Sequence, residues 1–273
     1  MFLRVLFLSV VCLVASSCQK PTAFTPELPD AEINSEEQAQ QKMVDEIKSR
    51  GGLPKAWKNH KNMRPQFERV GGKIEEAGAE ICRLLKLQER GCYYYFSLNR
   101  SDELNSHADG KKVVIYTGMM RFTQNDDELA VVMGHEFAHN LMGHVQAQKN
   151  NGTIGMLLGG ALDAIATSQG VSTQSSGAEL GKEVAVMSYS VDFEQEADYV
   201  GLYIMARAGY DIRRAPNFWR RMSLENPEEI YTNSTHPSNA ARFVALQKAI
   251  YEVEYKRKHH LPILPDFKAN VSD

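Results

Sequence analysis

The stretch that most restricts how this chain can fold is DDELAVVMGHEFAHNLMGHV, residues 126–145. Leu129, Val132, Met133 and Phe137 recur at helical spacing, as on a helix turned into a core. Asn125 or Asp126 can cap that helix, and Asp126, Asp127 and Glu128 load its first turn, where the helix dipole favours negative charge. Residues four apart share a face, separated by about 6 Å along the axis. His135 and His139 can therefore bind one metal ion through their imidazoles. Glu136 is turned by one residue, beside such an ion. Zinc with an open fourth position lowers the pKa of water to about 7. A carboxylate at Glu136 can then act as general base towards water and as acid towards a leaving amine.

A catalytic zinc needs a third protein ligand. The metzincin pattern would place Gly at position 142 and His at 145, where this chain has Met142 and Val145. His144 comes five residues after His139. On a continuous helix it points away from the metal face, so it is expected at the helix end, facing the dipole or solvent. The stretch SVDFEQEADYVGLYIMARAG, residues 190–209, offers Asp192, Glu194, Glu196 and Asp198. Glu194 and Asp198 are four apart and can face one target, while Ala197 and Gly201 let another helix approach. A solvated acidic face accounts better for Asp192 and Glu196.

Around these segments the chain reads as α+β, mainly α. A polar helix spans about Ser35 to Arg50, and a second about Gln66 to Gln88, stopped by Gly91. Residues 92–98 (CYYYFSL) and 113–117 (VVIYT) read as two strands, with 99–110 as polar turn material. Residues 149–181 are rich in Gly, Ser, Thr, Ala and Gln, and within them the apolar stretch Ile154 to Ala166 is expected as a packed helix or a flap over a cleft. Further helices are expected over 184–208, 216–222 and 237–255.

The N-terminus has the regions of a secretory signal: Arg4, an apolar run from Val5 to Ala15, then Ser16 and Ser17. That run is shorter than the roughly 20 residues a spanning helix needs. Cys18 directly after Ala15, Ser16 and Ser17 resembles the lipobox of bacterial lipoproteins, which implies a lipidated Cys18 and a membrane anchor. Gln19 in the next position implies sorting to the outer membrane, facing the periplasm of a diderm bacterium. Export leaves Cys82 and Cys92 in an oxidising compartment, free either to pair or to stay as buried thiols. The net charge of -3 gives no basic surplus for nucleic acid.

HEFAH after a strand and a DDELA run, then FEQEAD, then THPSNAAR, resembles the HtpX-type zinc metalloendopeptidases over about residues 65–250. Those gluzincins also include the CAAX prenyl proteases and the mitochondrial overlapping-activity protease. The resemblance implies a zincin-like domain with a small sheet beside the HExxH helix, one zinc per chain, and protein or peptide substrates. It implies Glu194 as third ligand, Asp198 as partner of His135, His236 as a donor to the oxyanion, and Arg242 orienting the His236 region. It further implies that the strand at 113–117 offers its edge to an extended substrate. The organisation expected is a signal over 1–17, a tether over 18–34 and a metallopeptidase domain over 35–273, acting on misfolded or unassembled envelope proteins. Two other readings are a self-blocked, chaperone-like zinc module plugged by 150–181, and a hydrolase of non-peptide amides.

Overall fold

The structure, a computed structural model, describes residues 30–49, 63–150, 190–225 and 240–267. Cys18, His236, positions 151–181 of the Gly-rich segment and the signal region lie outside them. In chain order the helices are α1 (Asp30–Ser49), α2 (Arg64–Leu84), α3 (Thr117–Phe122), α4 (Asp126–Met142), α5 (Ser190–Arg207), α6 (Ala215–Glu225) and α7 (Ala240–Lys258). The strands are β1 (Tyr95–Asn99), β2 (Ser106–Ala108) and β3 (Lys112–Tyr116). The fold is mainly helical with one small sheet, as the sequence pattern implies.

Helix α4 is the axis of the molecule. Every residue from Glu128 to Met142 is buried. Asn125 caps it, its side chain accepting from the Glu128 amide at 3.0 Å. Helix α5 packs across it where Gly134 meets Gly201: a Cβ on Gly134 would lie 2.9 Å from the Gly201 carbonyl oxygen. Only two glycines allow main chains this close. On another side Phe137 lies against Gly78 of α2, where a Cβ would overlap the ring, and Tyr94 meets Phe137 edge-on at 5.3 Å.

Helix boundaries differ from the periodicity reading. Helix α1 starts at Asp30, inside the stretch read as tether, and Arg220 of α6 pairs with its Glu36 at 2.7 Å. Helix α2 ends at Leu84 rather than running on to Gln88. Lys86 turns left-handed (φ 57) and the Leu87 amide bonds back to the Cys82 carbonyl, closing the last turn. Cys82 and Cys92 are joined in a disulfide that ties this end of α2 to the approach to β1.

The sheet has three strands, not two. Its order is β1-β3-β2, with β1 parallel and β2 antiparallel to β3. Ser106, His107 and Ala108 stand opposite Ile115, Val114 and Val113. The extra strand comes from the stretch read as turn material. Three residues are too few to show alternation, and what holds them is the tight turn that follows. There the Asp109 carboxylate accepts from the Lys111 and Lys112 amides at 2.8 and 2.9 Å, and Gly110 supplies φ +95. Because β3 is the middle strand, both its edges are paired, and the expected substrate edge at 113–117 is not available. Among the described residues no helix is long and apolar enough to cross a membrane.

Candidate metal centre

Three ligand atoms converge where α4 and α5 cross. His135 Nε2 and His139 Nε2 are 3.0 Å apart, and each lies 3.2 Å from a Glu194 carboxylate oxygen. All three side chains are buried. A tetrahedral zinc about 2.0–2.1 Å from each ligand sets ligand–ligand distances of about 3.3 Å. Two imidazoles and a carboxylate with nearly these separations are a donor set and a triangle that fit zinc. The crossing at Gly134 and Gly201 makes the triangle possible, since it carries Glu194 within reach of both histidines.

Each histidine is held from behind, by different means. His135 Nδ1 lies 3.0 Å from Asp198 Oδ1. Arg242 of α7 grips that carboxylate, donating from Nε to Oδ2 at 2.8 Å and from Nη2 to Oδ1 at 3.0 Å, and its Nη1 lies 3.2 Å from Glu194. Trp219 of α6 meets His135 edge-on at 4.9 Å and faces the Arg242 guanidinium at 5.2 Å. Burial pushes the Asp198 pKa up, but the Arg242 charge and the His135 bond outweigh it and hold the carboxyl below its usual range. Burial likewise pulls His135 down, and the Glu194 charge with the Asp198 bond raises it past its ordinary value.

His139 is held through a second histidine. Its Nδ1 lies 3.0 Å from His144 Nδ1, and His144 Nε2 lies 2.9 Å from Glu196 Oε2. Burial lowers His139 to about 4, with the Glu194 charge partly opposing, and lowers His144 to about 3. Burial raises Glu196 to about 7, against the Arg90 charge.

Two expectations are corrected here. His144 is not a solvent-facing helix end but is 2% exposed. Gly143 takes the left-handed conformation (φ 77), stops α4 and redirects the chain, so the angular argument for a continuous helix no longer applies beyond it. Glu196 is not on a solvated face either; it is 3% exposed because α5 is covered on that side by His144. Arg242 reaches Asp198 and Glu194 from α7, while His236, whose region it was expected to orient, lies outside the described residues.

Glu136 follows His135 and turns towards the sheet, where the Ser106 hydroxyl donates to its Oε1 at 2.7 Å. Asn140, one residue after His139, fastens the β2–β3 turn to the same helix. It accepts from the Gly110 amide at 2.8 Å and donates to the Lys112 carbonyl at 2.9 Å. The strand that carries Ser106 is thereby held in register with the metal triangle.

The structure thus brings together His135, Glu136, His139, Glu194, Asp198 and Arg242. Sequence reasoning missed Ser106, Asn140, Trp219 and the pair His144–Glu196. For the pair a signal was present, in Gly143 placed to end the helix one residue before a histidine.

The sequence pattern described as Peptidase family M48 matches residues 68–250. The chain is 30% identical over 156 residues to the beta-barrel assembly-enhancing protease of Yersinia pestis, covering 53% of this chain and 32% of that one. It is 31% identical over 149 residues to the mitochondrial metalloendopeptidase OMA1 of Saccharomyces cerevisiae, covering 51% and 41%. The Schizosaccharomyces pombe protein of that name is 31% identical over 173 residues, covering 58% and 49%. The match to this chain thus spans about a third to a half of these relatives.

Proposed function

Since the chain belongs to peptidase family M48, a family of metalloproteases, we propose that it is a zinc-dependent endopeptidase with His135, His139 and Glu194 as the ligands. The observation that carries this reading is the buried cluster in which His135 Nε2 and His139 Nε2 lie 3.0 Å apart and each 3.2 Å from a different oxygen of the Glu194 carboxylate, with Glu136 beside it. Zinc held there supplies Lewis acidity for a peptide carbonyl and makes water acidic enough to be deprotonated near neutral pH.

Glu136 accepts a proton from water as the water oxygen attacks the carbonyl carbon. It returns that proton to the departing amine nitrogen as the C–N bond breaks. Ser106 orients the Glu136 carboxylate through Oε1. Asp198 fixes the His135 ring, and Arg242 neutralises Asp198 and Glu194 in their buried setting. His236 is proposed, from the family resemblance, as a donor to the oxyanion. An extended substrate docks along the outer edge of β2 by strand addition, because β3 is paired on both sides.

We propose unassembled or misfolded envelope proteins as substrates. The N-terminal signal pattern ending at Cys18, the Cys82–Cys92 disulfide and the names of the bacterial relatives support that reading. They also support an outer-membrane lipoprotein facing the periplasm, with a signal over 1–17, a tether after it and one metallopeptidase domain. Cleavage of an unfolded protein tests the chemistry. The wild type should cleave, lose activity to a chelator and regain it with zinc, while Glu136→Gln binds zinc and stays inactive. Equal cleavage by both proteins would sink the mechanism.

A further inference from the structure

Gly143 ends helix α4 just past the metal triangle, and the residue after it begins a side-chain chain that the proposed reaction does not use. We infer that His144 and Glu196 form a positioning relay for His139, fixing the tautomer and plane of its ring so that Nε2 faces the metal. This rests on His139 being a ligand.

The geometry assigns each proton in turn. A metal-facing Nε2 must keep its lone pair, so the His139 proton sits on Nδ1. That nitrogen lies 3.0 Å from His144 Nδ1, which must then accept. The His144 proton is left on Nε2, and 2.9 Å away Glu196 Oε2 accepts it. One tautomer satisfies the whole chain from carboxylate to metal site. Phe193 stacks on His144, with centroids 4.5 Å apart and planes 12° apart, and so fixes the plane of the relaying ring.

A purely structural role explains the pair poorly. Burying a carboxylate is costly unless its oxygens are well satisfied. Among the described residues Glu196 Oε1 has no hydrogen-bond donor, so this carboxylate is buried for its one bond to His144. A hydrocarbon pair would fill the same space. What hydrocarbon cannot do is accept the Nδ1 proton of a ligand histidine, and outer partners of this kind are typically worth 10- to 100-fold in metal affinity or activity.

The test uses the full chain and reads zinc affinity by competition with a chromophoric chelator, together with the absorption spectrum of the cobalt-substituted protein. His144→Phe retains the stack on Phe193 but removes the acceptor; zinc binding should weaken about 10- to 100-fold, with a shifted cobalt spectrum. Glu196→Leu should move both readouts in the same direction, and Glu196→Gln, which keeps an acceptor oxygen, should restore most of the loss. Wild-type affinity and spectrum in His144→Phe would overturn the relay. If that variant does not fold, the wild type itself decides. Ring nitrogen NMR of the zinc-loaded protein should show His139 protonated on Nδ1 and His144 on Nε2, and any other assignment overturns the inference. A wild type that binds no zinc would instead refute the metal centre, and the relay with it.

Discussion

The two histidines proposed as ligands stand one turn apart on α4, yet they are braced in opposite ways. Behind His135 is a charged arm, Asp198 gripped by Arg242 from α7, 44 residues away in sequence. Behind His139 is an uncharged imidazole, His144, only five residues on and reached through a glycine turn. The charged arm draws on three helices and depends on their packing. The imidazole arm draws on a turn that α4 makes by itself and on one carboxylate from α5. One arm therefore combines stability with metal binding, and the other acts on metal binding almost alone.

The largest effect should come from cutting the charged arm at its root. Arg242→Met leaves Asp198 and Glu194 buried without their counter-charge, and breaking a buried pair this way costs about 3–5 kcal/mol. Urea unfolding of the metal-free protein should show that loss, and zinc, which brings positive charge to the same carboxylates, should recover part of it. A loss below about 1 kcal/mol, the size of an exposed pair, would break the comparison. Next, Asp198→Asn keeps the shape but loses the charge. Zinc should bind about 10- to 100-fold more weakly in a competition assay. If His144→Phe lowers unfolding stability as much as Asp198→Asn does, the two arms are not of different kinds. The smallest effect should come from Ser106→Ala, which touches neither arm. Losing its bond to Glu136 should lower kcat by roughly tenfold, about 1.5 kcal/mol, with KM and zinc affinity unchanged.

This difference between the arms also sets what the sequence could show. The HEFAH helix, its Asn125 cap and the helix bearing Glu194 and Asp198 were legible, because each is a local pattern repeated over several turns. The charged arm was half legible: Glu194 and Asp198 share a spacing, whereas Arg242 could be placed only by resemblance. The imidazole arm was not legible, because periodicity assumes that the helix continues and Gly143 ends it. Glu196 was misplaced for a related reason. An acidic residue beside two others looks solvated until the turn that covers it is known. Strand β2 was lost because its three residues show no alternation of their own, and its position comes from the turn at Asp109 and Gly110, which Asn140 fastens to another element.

The meeting of Gly134 and Gly201 gives the site an unusual kind of constancy. In an ordinary helix pair the spacing is a compromise among side chains, and one hydrocarbon can be exchanged for another with small readjustments. Here main chain rests on main chain, with a Gly201 Cβ position only 2.9 Å from the Gly134 carbonyl carbon and the His135 amide nitrogen. The gauge of the ligand triangle is therefore set by atoms that every residue shares. The rest of the core can drift in sequence without retuning the triangle, but a single methyl at this crossing would prise the two helices, and their ligands, apart.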